Sequence, residues 1–299
     1  MYYIIYHRSD FDGICSAKIV EKFLKEHEIE DIEMIGWDYG DPLPILDVNK
    51  ENDDNVIVVD LSMTVEFMKR LIELDVLTWI DHHYSAIEET KNVEGIDNVL
   101  GIRVVGKGAC ELCWDYFFDE NTLPIAVKLI SLFDVWDHKD KDYDWDKDIE
   151  PFYYGIQTIS KSVEDFPDGL LNLSPSEDRP INALIKKGRE ILNYEQFMYP
   201  KYNQFAFEVE IDGFKLLALN SAHGGSAVLI PIFNPDKQDG MMIFKYDGKA
   251  KQWKYGIYTE KEDVDLSTIA TKRGGGGHRS AAGFSTEDLL PELKKIMVK

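Results

Sequence analysis

Four short runs of β-branched and aromatic residues constrain this chain more than any other feature: 2–6 (YYIIY), 32–36 (IEMIG), 56–59 (VIVV) and 77–80 (LTWI). Between them lie stretches with helical period, such as Cys15–His27 and Val65–Leu74. Strands alternating with helices predict an α/β unit, a parallel sheet with helices on both faces. Sheets of that kind hold their ligands outside the carboxyl ends of the strands. The residues that follow each run are therefore the first candidates for chemistry.

Beyond the fourth run the pattern changes. Residues 108–133 read as helical with a break at Asn121–Pro124. The segment 138–180 reads as irregular; it carries the charge run HKDKDYDWDKD, expected as solvated loop, and Pro167, Pro175 and Pro180. Residues 181–198 regain helical period, with Ile181, Leu184, Ile185, Ile191, Leu192 and Met198 on one face. From Phe205 the period becomes two, and Asp212-Gly213 signals a hairpin leading into FKLLAL. A second hairpin is expected around Asp247-Gly248, and a last helix is expected to run to Met297. The 299 residues thus divide into a first domain over 1–180, a helical linker over 181–204 and a smaller α+β domain over 205–299.

Five clusters could carry chemistry. His7, Asp10, Asp12 and Gly13 follow the first strand; Gly13 would permit a tight turn into a helix beginning near Ile14. Asp10 and Asp12 could share one crevice, or one of them could cap that helix. Asp60 ends the strand VIVVD, as ligand or as helix cap. Asp81-His82-His83 ends LTWI and supplies an oxygen and nitrogen donor set suited to a divalent metal. Asp134, with Asp137 after it, closes an apolar helix, where a solvated helix end is the alternative. So many acids at one sheet edge are unfavourable unless cations neutralise them, and two metals sharing a carboxylate would do so. The fifth cluster is Arg273 with Gly274, Gly275, Gly276, Gly277, His278 and Arg279, where glycine amides and flanking positive charge could cradle an anion.

This order of motifs resembles the DHH phosphoesterases that carry a C-terminal DHH-associated domain, over nearly the whole chain. The resemblance implies two domains with an active-site cleft between them and two divalent ions, Mn²⁺ or Mg²⁺. It implies one ion on His7, Asp10 and Asp60, and the other on Asp12, Asp60, His82 and Asp134. Asp81 would orient a neighbouring histidine, and His83 would contact the scissile phosphate. The Gly274–Gly277 loop with His278 would grip the rest of the substrate, and Asn220-Ser221 would face the same cleft. The implied reaction is phosphoester hydrolysis by metal-activated water.

Charge narrows the substrate. Against 55 Asp and Glu stand 33 Lys and Arg, a net charge of −22. Long nucleic acids and anionic membranes are held by Lys and Arg neutralising phosphates, so both are disfavoured as partners. A short oligonucleotide or a small nucleotide fits better than the long single strands of a RecJ-type exonuclease. A non-catalytic nucleotide-binding module is the reading from another class. A homodimer is open by analogy alone. Neither a membrane-spanning run nor a basic-flanked leader is recognisable. The cysteines Cys15, Cys110 and Cys113 read as a reducing, cytoplasmic setting, with the last two buried in a helix and inert.

Overall fold

The computed structural model describes residues 1–119, 122–173, 178–223 and 225–297. Asn121 and Pro175, placed above in a helix break and an irregular segment, lie outside those residues. Contacts divide the chain into Met1–Leu192 and Asn193–Lys299.

The first unit contains strands β1 (Tyr2–His7), β2 (Ile32–Trp37), β3 (Asn55–Val59) and β4 (Leu77–Ile80), all parallel in the order β2-β1-β3-β4. Side chains alternate across this sheet, and both faces are buried. Ile4, Tyr6, Ile57, Val59 and Ile80 join one core; Tyr3, Ile5, Val56, Val58 and Trp79 join the other. Helix α1 (Phe11–Glu26) covers the first face with α4 (Ala109–Phe117) and α5 (Ile125–Asp134). Helix α2 (Val65–Glu73) covers the second, capped by Thr64. The short α3 (Tyr84–Thr90) follows β4. Because α1 and α2 lie on opposite faces, the winding direction reverses between β1 and β3, which opens a crevice at their carboxyl ends.

Two local expectations change. Helix α1 begins at Phe11, not near Ile14, so Gly13 lies within the helix. Its lack of a side chain serves close approach: a Cβ there would stand 1.9 Å from the His7 carbonyl oxygen. The segment 138–180 is not irregular throughout. A π-helical turn (Trp145–Ile149) leads into α6 (Glu150–Ile156), and a 3-10 turn spans Asp168–Leu171. Ile149, Phe152 and Ile156 are fully buried there; Pro151, Gly155 and the charge run that precedes them obscure that helical spacing in the sequence.

Helix α7 (Asp178–Asn203) is longer than the sequence suggested and buries Ile181, Leu184, Ile185 and Leu192, with Ile191 and Met198 half-buried. The second unit holds a six-stranded mixed sheet, β5 (Phe207–Ile211), β6 (Phe214–Asn220), β7 (Gly240–Asp247), β8 (Gln252–Tyr258), β9 (Gly276–Gly277) and β10 (Ala281–Thr286), in the order β5-β6-β7-β8-β10-β9. Asp212 and Gly213 form the two-residue hairpin with φ of 53° and 89°. The second hairpin needs four residues, 248–251, with Asp247 paired to Gln252. Phe205 falls outside the strand and is exposed. Helices α8 (Ser267–Thr271) and α9 (Pro291–Met297) pack on the face that buries Val209, Met242, Phe244 and Ile257.

Candidate metal centre

Asp60 stands at the heart of the crevice. It follows β3 in the left-handed backbone region, φ 60°, and is buried to 1% exposure. A non-glycine residue held there is a strained position. Among the described residues, no hydrogen-bond donor is aligned on either buried carboxylate oxygen. Histidine nitrogens nevertheless surround it: His82 Nε2 at 3.2 Å, His7 Nδ1 at 3.5 Å and His83 Nδ1 at 3.9 Å.

The remaining candidates of the first unit gather around it. His7 closes β1, and its Nδ1 lies 2.9 Å from Asp10 Oδ2. Asp10 also caps α1, its Oδ1 accepting from the Gly13 amide at 3.0 Å, so the two alternatives open for it coexist. Asp12 sits in the first turn of α1 and reaches the N-terminus of α4. Its Oδ2 accepts from the Ala109 amide at 2.6 Å and its Oδ1 from the Cys110 amide at 2.8 Å. The same Oδ2 is 3.5 Å from His82 Nε2, and Asp134 Oδ2, at the end of α5, is 3.1 Å from it. Asp81 Oδ1 accepts from the His82 and His83 amides and lies 2.7 Å from His83 Nδ1. The histidine that Asp81 orients is therefore His83.

Ligand atoms of His7, Asp10 and Asp60 lie within 4.8 Å of one another, as do those of Asp12, His82 and Asp134, and those of Asp60, Asp81 and His83. The electrostatics have the signature of a cation site. Burial pushes His7 down, but Asp10 and Asp60 overcome it and raise its pKa to about 11. Burial likewise opposes His82, which Asp60, Asp134 and Asp12 raise to about 11. Burial and then Asp60 lift Asp134 to about 7, against the pull of His82. Burial, Asp60 and Asp134 push Asp12 well above the usual carboxylate range. Asp60 goes the other way, because the surrounding imidazoles outweigh its burial and hold it far down. Protons thus fill the role that a divalent ion would take over. Carboxylate oxygens and imidazole nitrogens, with an orphaned buried carboxylate among them, fit a hard or borderline divalent metal.

Sequence reasoning missed three participants. Asp38, just past β2, has Oδ1 3.6 Å from His7 Nε2 and accepts from Ser9 Oγ at 2.7 Å; an acid directly after a strand was the available signal. Ser131 Oγ accepts from the Gly108 amide at 2.9 Å and donates to buried Glu111 at 2.8 Å, fixing the start of α4 beneath Asp12. Neither Ser131 nor Glu111 had a local sequence signal, since the contact joins distant segments. Cys15, Cys110 and Cys113 are free and buried, and burial pushes the Cys110 and Cys113 thiols well up.

In the second unit the glycine loop differs from the open cradle expected. The amides of Gly274, Gly275 and His278 donate to the carbonyls of Thr271, Ala270 and Ala281. Gly276 and Gly277 pair with β10, and a Cβ on Gly275 would stand 2.1 Å from the Gly283 carbonyl oxygen. Gly275 and Gly277 permit close backbone packing, and Gly274 takes a positive φ, rather than the loop presenting a run of free amides. Arg273 donates to Asp212 at 2.6 Å and lies over Phe284, whereas Arg279 is 58% exposed with Asp265 at 3.6 Å. Asn220 is exposed at the end of β6.

No family model matches the chain. Among curated proteins, it is 24% identical over 304 residues to an uncharacterized protein of Acanthamoeba polyphaga mimivirus, covering 94% of this chain and 66% of the other. It is 24% identical over 319 residues to oligoribonuclease NrnB of Bacillus subtilis, covering 97% and 74%. The chain therefore spans about two thirds to three quarters of the length of these relatives. Solved structures similar to it include a pGpG-specific phosphodiesterase from Vibrio (14% identity, TM-score 0.45, covering 99% and 96%). A RecJ of Thermus thermophilus in complex with Mn²⁺ is similar at 14% identity and TM-score 0.45, covering 95% and 49%. No helix among the described residues is long and apolar enough to cross a membrane. Similarity to an oligoribonuclease over 97% of this chain, and the Asp-His-His tripeptide gathered beside Asp60 at the sheet edge, agree with the resemblance to the DHH phosphoesterases.

Proposed function

We propose that the protein is a divalent-metal-dependent phosphoesterase acting on short oligonucleotides or small nucleotides. The observation that carries this reading is Asp60, a buried carboxylate with no donor aligned on it among the described residues, which completes the ligand group of His7 and Asp10 and lies 3.2 Å from His82 of the neighbouring Asp12, His82 and Asp134 group. His7, Asp10 and Asp60 would hold one ion, and Asp12, Asp60, His82 and Asp134 a second, with Mn²⁺ or Mg²⁺ suited to this donor set. Ions bound there would supply Lewis acidity and a water of lowered pKa for attack at phosphorus.

The chain's own residues have separable tasks. Asp60 would balance the charge of both ions. Asp12, anchored on the α4 amides, keeps its oxygens fixed as charge changes nearby. Asp81 holds the His83 ring and, after burial has lowered it, raises its pKa to about 9. The protonated ring would donate to a nonbridging phosphate oxygen. His278, Arg279 and Asn220 are proposed to contact the remainder of the substrate. A net charge of −22 favours few phosphates over many, and similarity to an oligoribonuclease supports the same choice.

The test is Mn²⁺-dependent hydrolysis of a panel: a 5′-phosphorylated dinucleotide, a long single strand, 3′-phosphoadenosine 5′-phosphate and a cyclic dinucleotide. Turnover confined to the short substrates, and lost in Asp60→Asn, is expected. Preference for the long strand would overturn the charge argument. Metal binding without turnover on any substrate would replace the enzyme with a nucleotide-binding module.

A further inference from the structure

One aromatic residue beside the metal centre stands where the backbone favours glycine. Helix α5 ends with a left-handed cap: the Trp136 amide donates to the Phe133 carbonyl at 3.2 Å, and the Asp137 amide to that of Leu132 at 3.0 Å. The residue in the left-handed position is Trp136, φ 57°. Glycine dominates that position in such caps because it has no Cβ to clash. A tryptophan retained there, and 41% exposed, gains little from burial that would offset the strain.

Trp136 also follows Asp134 by two residues and caps a continuous aromatic ladder. Phe11, lying between Asp10 and Asp12 in sequence, packs edge-on against Tyr153 at 5.5 Å. Tyr153 stacks on Phe133 at 3.6 Å and 9°, and Phe133 on Trp145 at 5.4 Å and 11°. His138 stacks on Trp145 at 3.9 Å, and Trp136 lies tilted against it at 4.7 Å. Burial first, then Asp10, Asp134 and Asp12, raise the Tyr153 hydroxyl pKa, which sets the inner rungs beside the same carboxylates. The ladder therefore runs from the carboxylates to an exposed indole, over rings buttressed in place.

Resting on the phosphoesterase reading, we propose that Trp136 is the stacking platform for a nucleobase next to the scissile phosphate. An indole face offers base-stacking to any base without sequence preference, which suits a short single-stranded oligonucleotide rather than inorganic or sugar phosphates. The segment 136–145, which had no role from the sequence, becomes the part of the first unit that recognises the base.

The experiment compares wild type with Trp136→Gly and Trp136→Tyr. Trp136→Gly suits the left-handed backbone, so it is expected to fold with unimpaired thermal stability. Its Mn²⁺-dependent KM for a phosphorylated dinucleotide should rise about 5- to 150-fold. KM for the same dinucleotide carrying an abasic residue next to the scissile bond should be unchanged, and Trp136→Tyr should recover most of the loss. Equal effects on both substrates, or no effect on either, would overturn the platform. Equilibrium binding of the dinucleotide in Ca²⁺ supplies a readout independent of turnover. If wild type hydrolyses nothing yet Trp136→Gly still loses dinucleotide binding, the phosphoesterase reading fails and the platform stands. Unchanged binding removes the platform whatever the activity.

Discussion

Gly13→Ala sets two opposed effects against each other at the hinge of the metal centre. In an exposed helix interior, alanine is about 1 kcal/mol better than glycine. At position 13 the added Cβ would lie 1.9 Å from the His7 carbonyl oxygen and 2.8 Å from the His7 Cβ, where ordinary contact begins at 3.4 Å. The shortfall against the carbonyl is about 1.5 Å, and the partner is strand backbone that cannot rotate away. Tyr6, Ile14 and Cys15 belong to one packed core, so β1 and the first turn of α1 must separate. Overpacking typically costs 1–3 kcal/mol, and the backbone collision puts this case at the top of that range. Steric cost exceeds propensity, leaving a net destabilisation of about 2 kcal/mol. Urea unfolding measures it as a lowered midpoint at unchanged slope. Gly169→Ala, whose Cβ meets nothing within 4 Å, is the control and should be neutral or slightly stabilising. Separation at this hinge also moves His7 and Asp10 away from Asp60, so Mn²⁺ affinity should fall with stability. Gly13→Ala at or above wild-type stability would refute the close-approach argument.

Metal binding at neutral pH should release protons, because His7 and His82, at about 11, hold protons that a cation must displace. Asp12 and Asp134, both raised, add to that number; affinity then weakens as pH falls, and calorimetry of Mn²⁺ binding in buffers of different ionisation enthalpy should return two or more protons per chain, whereas zero would contradict the assignment. Asp81→Asn removes the carboxylate that raises His83 to about 9. With His83 acting as a protonated donor, the alkaline limb of kcat/KM should move down by about one to two pH units, and a stationary limb would remove His83 from that role.

The parallel sheet was legible because its central strands, β1 and β3, are buried on both faces and read as unbroken apolar runs. The carboxyl-end rule then pointed to His7, Asp60 and Asp81 without any contact information. Helix α6 was hidden, since Pro151 and Gly155 read as breakers around Phe152 and a run of alternating charges directly precedes it. Asp12 was visible as an acid, but its bonds to Ala109 and Cys110 span nearly a hundred residues and leave no local trace. The glycine loop was misread in its geometry for a related reason. Consecutive glycines are equally suited to an open anion cradle and to a strand pressed against its neighbour, and the packing against β10 decides between them.

The bond between Asp12 and the start of α4 places one side chain under two selections. Its carboxylate closes a helix terminus inside the core whether or not chemistry occurs beside it. Among the described residues, no backbone amide donates to the carboxylate of Asp60 or Asp134. A descendant of this chain that abandoned hydrolysis for mere binding would be free to drift at those two positions, yet would be penalised for replacing Asp12. An aspartate persisting at position 12 is thus poor evidence of a working enzyme, and the pair at 60 and 134 is the better diagnostic of whether a homologue still turns over.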